Sequence, residues 1–443
     1  MAYRDYPELT DCKKILEMIG MYALQKHEYG AAGIPLAISR LEQALQATLD
    51  EIKQLPVDET QKKLEPDRLD DIRLLRPNGP RRLWRTFDKD LYLEKLEGAL
   101  LARMAGCTLG AAVEGWPVER MESWAKETGD PFPPVDYWSE SPTALSVRYT
   151  ISKFKDYTRS GINGVPADDD ITYTMLGLLL CERYGTDFTT EQSAQMWIEY
   201  LNWVWVDMEL ALANYEKGVP ALEMGEDNPF NQMICADIRC DPFGYVVPGL
   251  PEAAAALAYK DSLASHRRNG LYGGMFFAAA ISAAFAVKHP IDAVEIALSE
   301  IPADCDLARS IRWALQIGKE FTDISDYRQA RDAVDERFKG MVTPHTLNNA
   351  CLTVFGLMIG GTDVTKVLAS TVAMGMDNDC STATAGSIVG AVVGKQNVPL
   401  HWYRNFNNTI HTYIKDHRYF QIDDVVARYA RQAEAAFSRF ADG

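Results

Sequence analysis

The amino-acid sequence predicts an all-α protein, in which one continuous helical body follows an N-terminal helical extension. Apolar residues recur at three- and four-residue spacing along most of the chain, which is the pattern of helices that bury one face. Alternating apolar and polar residues, which are typical of strands, are scarce. Turn-forming stretches such as Gly360-Gly361-Thr362-Asp363 separate the periodic segments. These observations favour a helical body over a sheet-based architecture.

We predict a helix over each segment that carries the helical periodicity. These segments are residues 36–54, 91–113, 172–184, 191–216, 251–262, 274–288, 303–319, 346–359, 382–394 and 420–440. The best candidate for a strand is Tyr245-Val246-Val247. The Pro- and Gly-rich stretch from Arg76 to Arg82 cannot continue a helix. We therefore predict a helical extension over residues 1–88 and a main domain over residues 89–443, and a lid, an oligomerisation arm or simple packing could each explain the extension.

Charge balance and cysteine spacing limit the partners and the location. The 443 residues include 45 basic and 62 acidic ones, a formal net charge of −17, which argues against nucleic acid as a partner because phosphate binding needs a basic surface. Eight cysteines form no C-x-x-C pair, as expected of free thiols in a reducing cytosol. No signal peptide is visible, and the longest apolar segment, from about Met275 to Val287, is too short to span a bilayer. We predict a soluble cytoplasmic protein without a membrane partner, and the oligomeric state stays open.

Three consecutive aspartates, Asp168-Asp169-Asp170, come shortly after Pro166 and open a helix-patterned segment. This places them at a helix N-terminus, where the helix dipole and the free backbone N–H groups favour negative charge. Neighbouring side chains diverge by about 100° around a helix, so two of them can reach two different ions. On this segment alone, a helix cap with solvated neighbours is the favoured explanation, because a run of three carboxylates is expected about once by chance in a chain this acidic. The metal interpretation stays open.

A second acidic cluster, Asp377-Asn378-Asp379, precedes a helix-patterned segment near the C-terminus. In extended conformation its two aspartates would point the same way, as a metal site requires. Gly386, Gly390 and Gly394 then recur at every fourth position. Because glycine weakens a helix by up to about 1 kcal/mol, this stripe predicts the close approach of another backbone. Tight packing behind an ordinary loop explains the segment as well as function does.

A third segment, Gly98 to Pro117, has small residues at helical spacing and ends with one carboxylate, Glu114, at a Gly-Trp-Pro turn. A single glutamate at a helix end is usually solvated. Glu114 therefore points to chemistry only in combination with the two aspartate clusters.

In this order and with these glycine patterns, the three segments resemble the ADP-ribosylglycohydrolase family, from about Leu91 to Gln396. Members of that family typically carry G-D-x-x-G-x-x-x-E, then T-D-D-T, then G-x-D-T-D-T-N-A-x-x-x-G-x-x-x-G. The matching residues are Gly106, Gly110 and Glu114, then Asp169 and Asp170, then Gly375, Asp377, Asp379, Gly386 and Gly390. The resemblance implies a compact all-α bundle with a central metal cleft, in which the aspartates hold a pair of Mg²⁺ or Mn²⁺ ions.

Several positions depart from the family pattern. Asp168 and Cys380 stand where the family has ligand threonines, Asn378 and Ser381 replace the usual Thr and Asn, and Cys107 replaces the usual Asp. A thiol is a soft ligand, poorly suited to Mg²⁺. Compensation by Asp168, a changed metal preference and one emptied metal position all stay open. The candidate metal ligands are Asp168, Asp169, Asp170, Asp377, Asp379 and Cys380.

The resemblance also suggests substrate contacts. The stretch from Ser265 to Gly274 resembles a family segment whose histidine touches ADP-ribose, and the stretch from Met233 to Pro242 matches the diphosphate loop but lacks both of its glycines. A loop histidine at a helix start is an equally good explanation for the first stretch, and core packing explains most aromatic residues. The candidate substrate-binding residues are His266, Asn269, Gly270, Tyr272, Arg239 and Trp116.

The resemblance implies a metal-dependent glycoside hydrolase that releases ADP-ribose from an ADP-ribosylated substrate, with ADP-ribosyl-arginine as the expected one. The candidate catalytic residues are Glu114, Asp170 and Asp379, with Glu114 or a metal-site aspartate as general base. Two divalent cations, Mg²⁺ or Mn²⁺, are the expected cofactors. Two alternatives stay open. The missing glycines favour an N-glycosidase for a smaller ribosylated metabolite, and crystallin-like relatives keep the fold as inactive structural or ADP-ribose-binding proteins.

Overall fold

The computed structural model describes residues 6–7, 9–140, 147–148 and 152–441 and consists mainly of α-helices. The predicted all-α class is therefore confirmed. The chain divides into two compact units, Met1–Lys63 with Phe338–Met341 and Leu64–Arg337 with Val342–Gly443. None of the described helices combines the length and the apolar character that crossing a bilayer requires. The functional boundary at residue 88 stays a prediction.

The smaller unit contains α1 (Thr10–Glu28), α2 (Ile34–Gln54) and most of α3 (Glu59–Leu64). Before α2 the chain turns at Gly33, whose φ of 89° lies in the left-handed region that favours glycine. Pro35 in the first turn has a φ angle that suits a helix start. These three helices contain no buried residue among those described, and their apolar side chains lie at the surface of the chain.

The larger unit contains the remaining described helices and two short pairs of strands. The helices are α4 (Leu69–Leu75), α5 (Lys89–Ala111), α6 (Val118–Thr128), α7 (Asp169–Tyr184), α8 (Thr190–Tyr200), α9 (Val206–Glu216), α10 (Cys235–Arg239), α11 (Asp241–Val246), α12 (Pro251–Ser262), α13 (Arg268–Ala284), α14 (Pro290–Ala297), α15 (Asp306–Ile317), α16 (Tyr327–Arg337), α17 (Thr346–Gly360), α18 (Val364–Ala373), α19 (Asn378–Val393) and α20 (Ile422–Ala441). The antiparallel strand pairs are β1 (Val147–Arg148) with β2 (Ser152–Lys153) and β3 (Thr409–His411) with β4 (Tyr419–Gln421).

The centre of the larger unit is the antiparallel pair α5 and α19, in which glycines let the two backbones touch. A Cβ atom at Gly106 would overlap the backbone of Thr382, and one at Gly110 would overlap the backbone of Asp379. Gly390 lies in the same way against the backbone of Gly98. The close approach that the glycine stripe predicts is therefore confirmed. This glycine seam holds the N-terminus of α19 beside the C-terminal end of α5.

The last part of the predicted extension, residues 65–81, belongs to the larger unit and is bound to the rest of it by buried charges. The Glu65 side chain accepts hydrogen bonds from the Asp306 backbone N–H at 2.8 Å and from Asn269 Nδ2 at 3.2 Å. Arg76 and Arg81 both pair with the buried carboxylate of Glu300, at 2.7 and 2.6 Å. The predicted helix break between Arg76 and Arg82 is confirmed, because α4 ends at Leu75 and α5 begins at Lys89.

Two of the predicted helix and strand segments are wrong. The helix expected over residues 191–216 is two helices, α8 and α9, because the backbone is extended at Leu201 and at Trp205. The expected strand at Tyr245 is the end of α11 instead. A helical turn places the Tyr245 hydroxyl 3.2 Å from Oδ1 of Asp241, four residues earlier, and the same hydroxyl lies 2.6 Å from Ser387 Oγ. These buried polar contacts outweigh the strand propensity of a Tyr-Val-Val run.

Candidate metal centre

The first acidic cluster lies at the N-terminus of α7, as predicted. Asp168 is the N-cap residue, and its Oδ1 accepts a hydrogen bond of 3.3 Å from the Asp170 backbone N–H. Asp168, Asp169 and Asp170 are all buried. The interpretation as a cap with solvated neighbours therefore fails, because three carboxylates are buried together. Such an arrangement needs compensating positive charge.

The second cluster lies at the N-terminus of α19, with Asp377 as the N-cap residue and Asp379 inside the first turn. The extended conformation that we expect for the D-x-D stretch is therefore wrong. The chain reaches Asp377 through Gly375 and Met376, whose φ angles of 73° and 66° lie in the left-handed region. The Asp377 backbone N–H donates to Oδ1 of Asn349 at 3.2 Å. The turn of the helix, rather than strand geometry, sets the direction of the two carboxylates.

Glu114 follows the end of α5 and is held at the start of α19. The backbone N–H of the next residue, Gly115, donates a hydrogen bond of 3.0 Å to the Met376 carbonyl. Gly115 has a φ angle of 68°, which a residue with a side chain rarely adopts. The seam between α5 and α19 and this turn together bring Glu114, the third predicted segment, next to the second acidic cluster.

The structure brings the candidate ligands of all three segments together. The carboxylate oxygens of Asp168, Asp169, Asp170 and Asp379 lie within 4.8 Å of one another, and so do those of Glu114, Asp377 and Asp379. Asp379 belongs to both groups and therefore joins them. Two further groups contain a thiol: Cys107 with Asp168 and Asp170, and Cys380 with Asp170 and Asp379.

Arg103 of α5 supplies positive charge beneath the cluster. Its fully buried guanidinium lies 3.2 Å from Asp170 Oδ1 and 3.0 Å from Asp241 Oδ2. Burial opposes the charge of the guanidinium, but the carboxylates of Asp241 and Asp170 outweigh burial and raise the pKa of Arg103. One arginine shared with Asp241 cannot balance the carboxylates of both groups. With its carboxylates ionised, the cluster would therefore carry an excess of negative charge.

Two of the buried carboxyls, Asp170 and Asp377, each have one oxygen without a hydrogen bond in the described part of the chain. Burial raises the pKa of Asp170 well above its usual value, although Arg103 opposes this shift. Burial and the neighbouring Asp379 and Glu114 carboxylates raise the pKa of Asp377. Within the described residues, Asp170 Oδ2 and Asp377 Oδ1 are buried and accept no hydrogen bond. Hard oxygen donors in this number fit a divalent cation such as Mg²⁺ or Mn²⁺.

A cavity of about 470 Å³ opens onto the cluster. Its lining includes the polar side chains of Glu114, Asp169, Asp377 and Cys380. The Trp205 indole N–H, at the same cavity, donates a hydrogen bond of 2.6 Å to Asp169 Oδ2. The apolar lining residues are Val206, Phe230, Met233, Ile234, Ile238, Val342, Pro344 and Met376. A small organic molecule can therefore occupy this cavity with one end against the carboxylates.

Two of the predicted substrate contacts, His266 and Arg239, belong to a buried polar network behind the cavity. Arg239 donates to Asp261 Oδ2 at 2.9 Å and to Ser265 Oγ at 3.0 Å. His266 Nδ1 lies 2.7 Å from the same Oγ, and its Nε2 lies 3.1 Å from the Met233 carbonyl. Burial and the charge of Arg239 lower the pKa of His266 well below its usual value. The network reaches the cavity through Asp207, which lies 3.6 Å from His266 Nε2 and lines the cavity.

The other four predicted substrate contacts do not line this cavity. Asn269 and Tyr272 lie on α13 and bind the segment before α4, through Glu65 and through the Pro66 carbonyl. Gly270 packs against the Asn231 backbone, where a Cβ atom would overlap it. The Arg120 guanidinium lies over the Trp116 ring, with its Cζ 3.6 Å from the ring centre. Their assignment to substrate binding stays a prediction.

The structure adds residues to the site that the sequence analysis does not identify. Arg103 pairs with Asp170, and Trp205 donates a hydrogen bond to Asp169. Asp207 lines the cavity, and Asn349 accepts a hydrogen bond from the Asp377 backbone. Arg103 had a visible signal, since it is a charge in the middle of an apolar helical segment. Buried charges of this kind usually have a partner. Trp205 and Asp207 had none, because the break between α8 and α9 aims them at the site.

The convergence of the three segments agrees with comparison to known proteins. The model of the ADP-ribosylglycohydrolase family matches residues 88–435, most of the chain. The chain belongs to the ADP-ribosylglycohydrolase family. It is accordingly a hydrolase of glycosidic bonds, from a family that acts on ADP-ribosylated substrates.

Among solved structures, an "ADP-ribosylglycohydrolase-related protein complex" is 16% identical to this chain, with a TM-score of 0.53. The match covers 78% of this ADP-ribosylglycohydrolase-family chain and 99% of the other chain. At this identity the similarity shows the fold alone. No curated protein matches the chain.

Proposed function

We propose that this protein hydrolyses the N-glycosidic bond of ADP-ribosyl-arginine and releases ADP-ribose, using two divalent cations. The observation that carries the proposal is that two clusters of carboxylates share Asp379 and that members of both clusters line the cavity. Asp168, Asp169, Asp170 and Asp379 would hold one cation, and Glu114, Asp377 and Asp379 the other, with Mg²⁺ or Mn²⁺ expected where all the donors are oxygens. When bound, such cations lower the pKa of water and orient hydroxyl groups of the substrate.

The residues of the chain supply the remaining parts of the reaction. Glu114 is half-buried and lines the cavity beside Asp377, so its carboxylate is placed to accept the proton of the attacking water. The hydrogen bond from Trp205 fixes the orientation of Asp169. The apolar walls exclude bulk water and so strengthen electrostatic interactions at this end of the cavity. The carboxylates that face the cavity are placed to stabilise the positive charge that an oxocarbenium-like transition state develops at the anomeric carbon.

A hydrolysis assay tests the proposal. The protein, supplied with Mg²⁺ or Mn²⁺, should release ADP-ribose from ADP-ribosylated arginine, and Asp379→Asn should lower kcat/KM by at least about 100-fold, as loss of one charge-stabilising group does in other enzymes. Asp304→Asn, at an exposed aspartate of the same unit, is the matched control and should keep full activity. An unchanged rate in Asp379→Asn would exclude the shared carboxylate from catalysis.

A smaller ribosylated metabolite is the second candidate substrate. The segment that matches the diphosphate loop contains the buried helix α10, and the Arg239 guanidinium is already engaged by Asp261 and Ser265. The cavity walls beside it are apolar, which suits a substrate without a diphosphate. A panel of N-ribosides and ADP-ribosyl compounds, assayed at equal metal concentration, separates the two candidates. A higher kcat/KM for the N-ribosides would favour the metabolite.

A further inference from the structure

We propose that the thiol of Cys380 is a metal ligand, and that the metal position between Asp170 and Asp379 therefore selects thiophilic ions such as Zn²⁺, Co²⁺ or Cd²⁺ over Mg²⁺. This inference rests on the proposed function, since it concerns one of the two cations. It concerns residues of this chain that depart from the family pattern, rather than the carboxylates that follow it.

The position of the thiol carries the proposal. Cys380 follows Asp379 in the first turn of α19, and its Sγ lies within 4.8 Å of the carboxylate oxygens of Asp170 and Asp379, which are equally close to each other. Three donor atoms from two helix N-termini thus surround one point. Cys380 is 5% exposed, and it lines the cavity. An ion at this point is therefore reachable from the cavity.

A second observation points to a ligand at the same place. The side chain of Asp170 is fully buried, and its Oδ2 accepts no hydrogen bond from the described residues, while its Oδ1 lies near Arg103. A buried carboxylate oxygen without a partner is costly. Asp170 and Asp379 both belong to the group that contains the Cys380 thiol and to the group of four carboxylates. A cation beside Asp170 would bind this oxygen and would lie within reach of the Cys380 thiol.

The chemistry of the donors decides which ion is favoured. Mg²⁺ prefers oxygen ligands in octahedral geometry and binds sulfur poorly, whereas Zn²⁺ binds carboxylate oxygen at about 2.0–2.2 Å and thiolate at about 2.3 Å. When the ion binds, the thiol proton passes to solvent. The other position, between Glu114, Asp377 and Asp379, has oxygen donors alone and keeps the preference for Mg²⁺ or Mn²⁺. The two positions thus differ in the ion that they select.

The other buried thiols differ from Cys380. Cys107 lies near Asp168 and Asp170 but does not line the cavity. Cys351, on α17, is buried with its Sγ 3.6 Å from the Ser310 carbonyl and belongs to no potential metal group among the described residues. Cys351 is therefore the matched control for a buried thiol without metal.

Cobalt absorption tests the ligand directly. Apoprotein titrated with Co²⁺ should develop a near-ultraviolet thiolate-to-cobalt charge-transfer band, and Cys380→Ser should abolish it while Cys351→Ser keeps it. Loss of the band in Cys351→Ser, or its persistence in Cys380→Ser, overturns the assignment. Cys380→Thr provides a second variant that keeps the bulk of a side chain and offers an oxygen, and circular dichroism shows that each variant is folded.

Competition between Cd²⁺ and Mg²⁺ tests the selectivity. Cys380→Thr should weaken Cd²⁺ binding by at least about 10-fold, since loss of even an outer-shell partner has an effect of this size, and Mg²⁺ affinity should be unchanged or higher. Equal losses for both ions, or none, would contradict the inference. Tight Mg²⁺ binding with hydrolysis but no charge-transfer band would refute the thiol ligand and leave the proposed function standing. No binding of any ion would refute both.

Discussion

Arg103 is the residue on which the electrostatics of the buried site depend. Its guanidinium donates to the Thr174 hydroxyl and to the backbone carbonyls of Asp170 and Ile238, and it pairs with the Asp170 and Asp241 carboxylates. It therefore links α5 to α7, α10 and α11. A buried charge that loses its partner destabilises a fold much more than an exposed one does.

Replacing Arg103 should destabilise the protein strongly. Arg103→Leu leaves the Asp170 and Asp241 carboxylates buried without their counter-ion, so we expect a loss of about 3–5 kcal/mol in the free energy of unfolding, measured with urea. The additional substitution Asp241→Asn removes one of the two unpaired carboxylates and should restore part of the lost stability. If the double variant is less stable than Arg103→Leu alone, the charge explanation is wrong.

His345 should make the protein sensitive to acid. Its Nδ1 accepts the Leu347 backbone N–H at 3.1 Å and so caps α17, which requires the neutral ring. Burial lowers the pKa of His345 to about 4. The unfolded state therefore binds a proton between about pH 6.5 and pH 4 that the folded state excludes, and stability falls by up to about 3 kcal/mol as the pH drops through this window.

The variant His345→Asn isolates this effect, because asparagine also caps a helix but does not titrate. Urea unfolding at pH 7 and at pH 4.5, in the presence of a chelator, should show a smaller loss of stability on acidification than in the wild type. His289→Asn, at an exposed histidine on α14's N-terminal side, is the control. An identical loss in wild type and His345→Asn would contradict the prediction.

At the residue scale, the sequence predicts the carboxylates but not their surroundings. Asp169, Asp170, Asp377 and Asp379 are visible because short acidic runs open apolar segments. Trp205 is not visible, because its hydrogen bond to Asp169 depends on where one helix stops and the next begins. Contacts of this kind arise from tertiary placement, which local pattern does not contain.

The seam between α5 and α19 is the element-scale feature that fixes the site. Gly110 touches the backbone of Asp379 directly, so the distance between the two helices sets the position of the shared carboxylate. A protein interior is too densely packed to absorb an added atom there without a shift of the backbone.

Gly110→Ala should therefore affect both stability and metal binding. The added methyl group must separate the helices, and overpacking of this kind destabilises a core by about 1–3 kcal/mol. Because the separation displaces Asp379, metal affinity should fall as well, as isothermal titration calorimetry would show. Gly20→Ala is the control, since nothing lies within 4 Å of a Cβ at this helical glycine; it should raise helix stability by up to about 1 kcal/mol. Unchanged metal affinity in Gly110→Ala would show that the spacing of α5 and α19 does not control metal binding.

At the element scale, helix positions could be predicted because long apolar periodicity is a strong local signal. α2, α5, α17 and α20 lie close to their predicted ranges. The break between α8 and α9 could not, because the apolar periodicity continues through Leu201 to Trp205 while the backbone there is extended. Leu201 instead forms an isolated antiparallel bridge with Ile414, a partner more than two hundred positions away. Pairing at such a distance overrides local periodicity.

At the scale of the whole molecule, the larger of the two compact units begins earlier in the chain than the predicted main domain does. The second unit starts at Leu64, and Glu65 directly after it is buried and bound to Asn269 and Asp306. Residues 64–88 lie within the predicted extension, yet their contacts are with the larger unit. The helical class and the site-forming segments could be predicted from sequence, but this boundary depends on charge pairs that no periodicity reveals.

Truncation tests the boundary. A protein that begins at Leu64 should keep its helical circular dichroism, its thermal midpoint and its metal affinity, because the larger unit retains its buried charge pairs. A protein that begins at Arg76 also lacks Glu65, so Arg268 and Asn269 each lose one hydrogen-bond acceptor. Its thermal midpoint should fall by several degrees. Equal midpoints for the two truncations would show that residues 64–75, Glu65 among them, do not stabilise the larger unit.

The glycine seam also has a consequence for the order of events during synthesis. The buried faces of α5 are mostly apolar, yet α19, the helix that packs against it, leaves the ribosome only after the whole intervening chain has been made. Contacts between such distant segments form slowly, and exposed apolar surface on a nascent chain invites aggregation. The carboxylate cluster is thus completed late in translation, and until then the apolar surface of α5 is a binding site for chaperones.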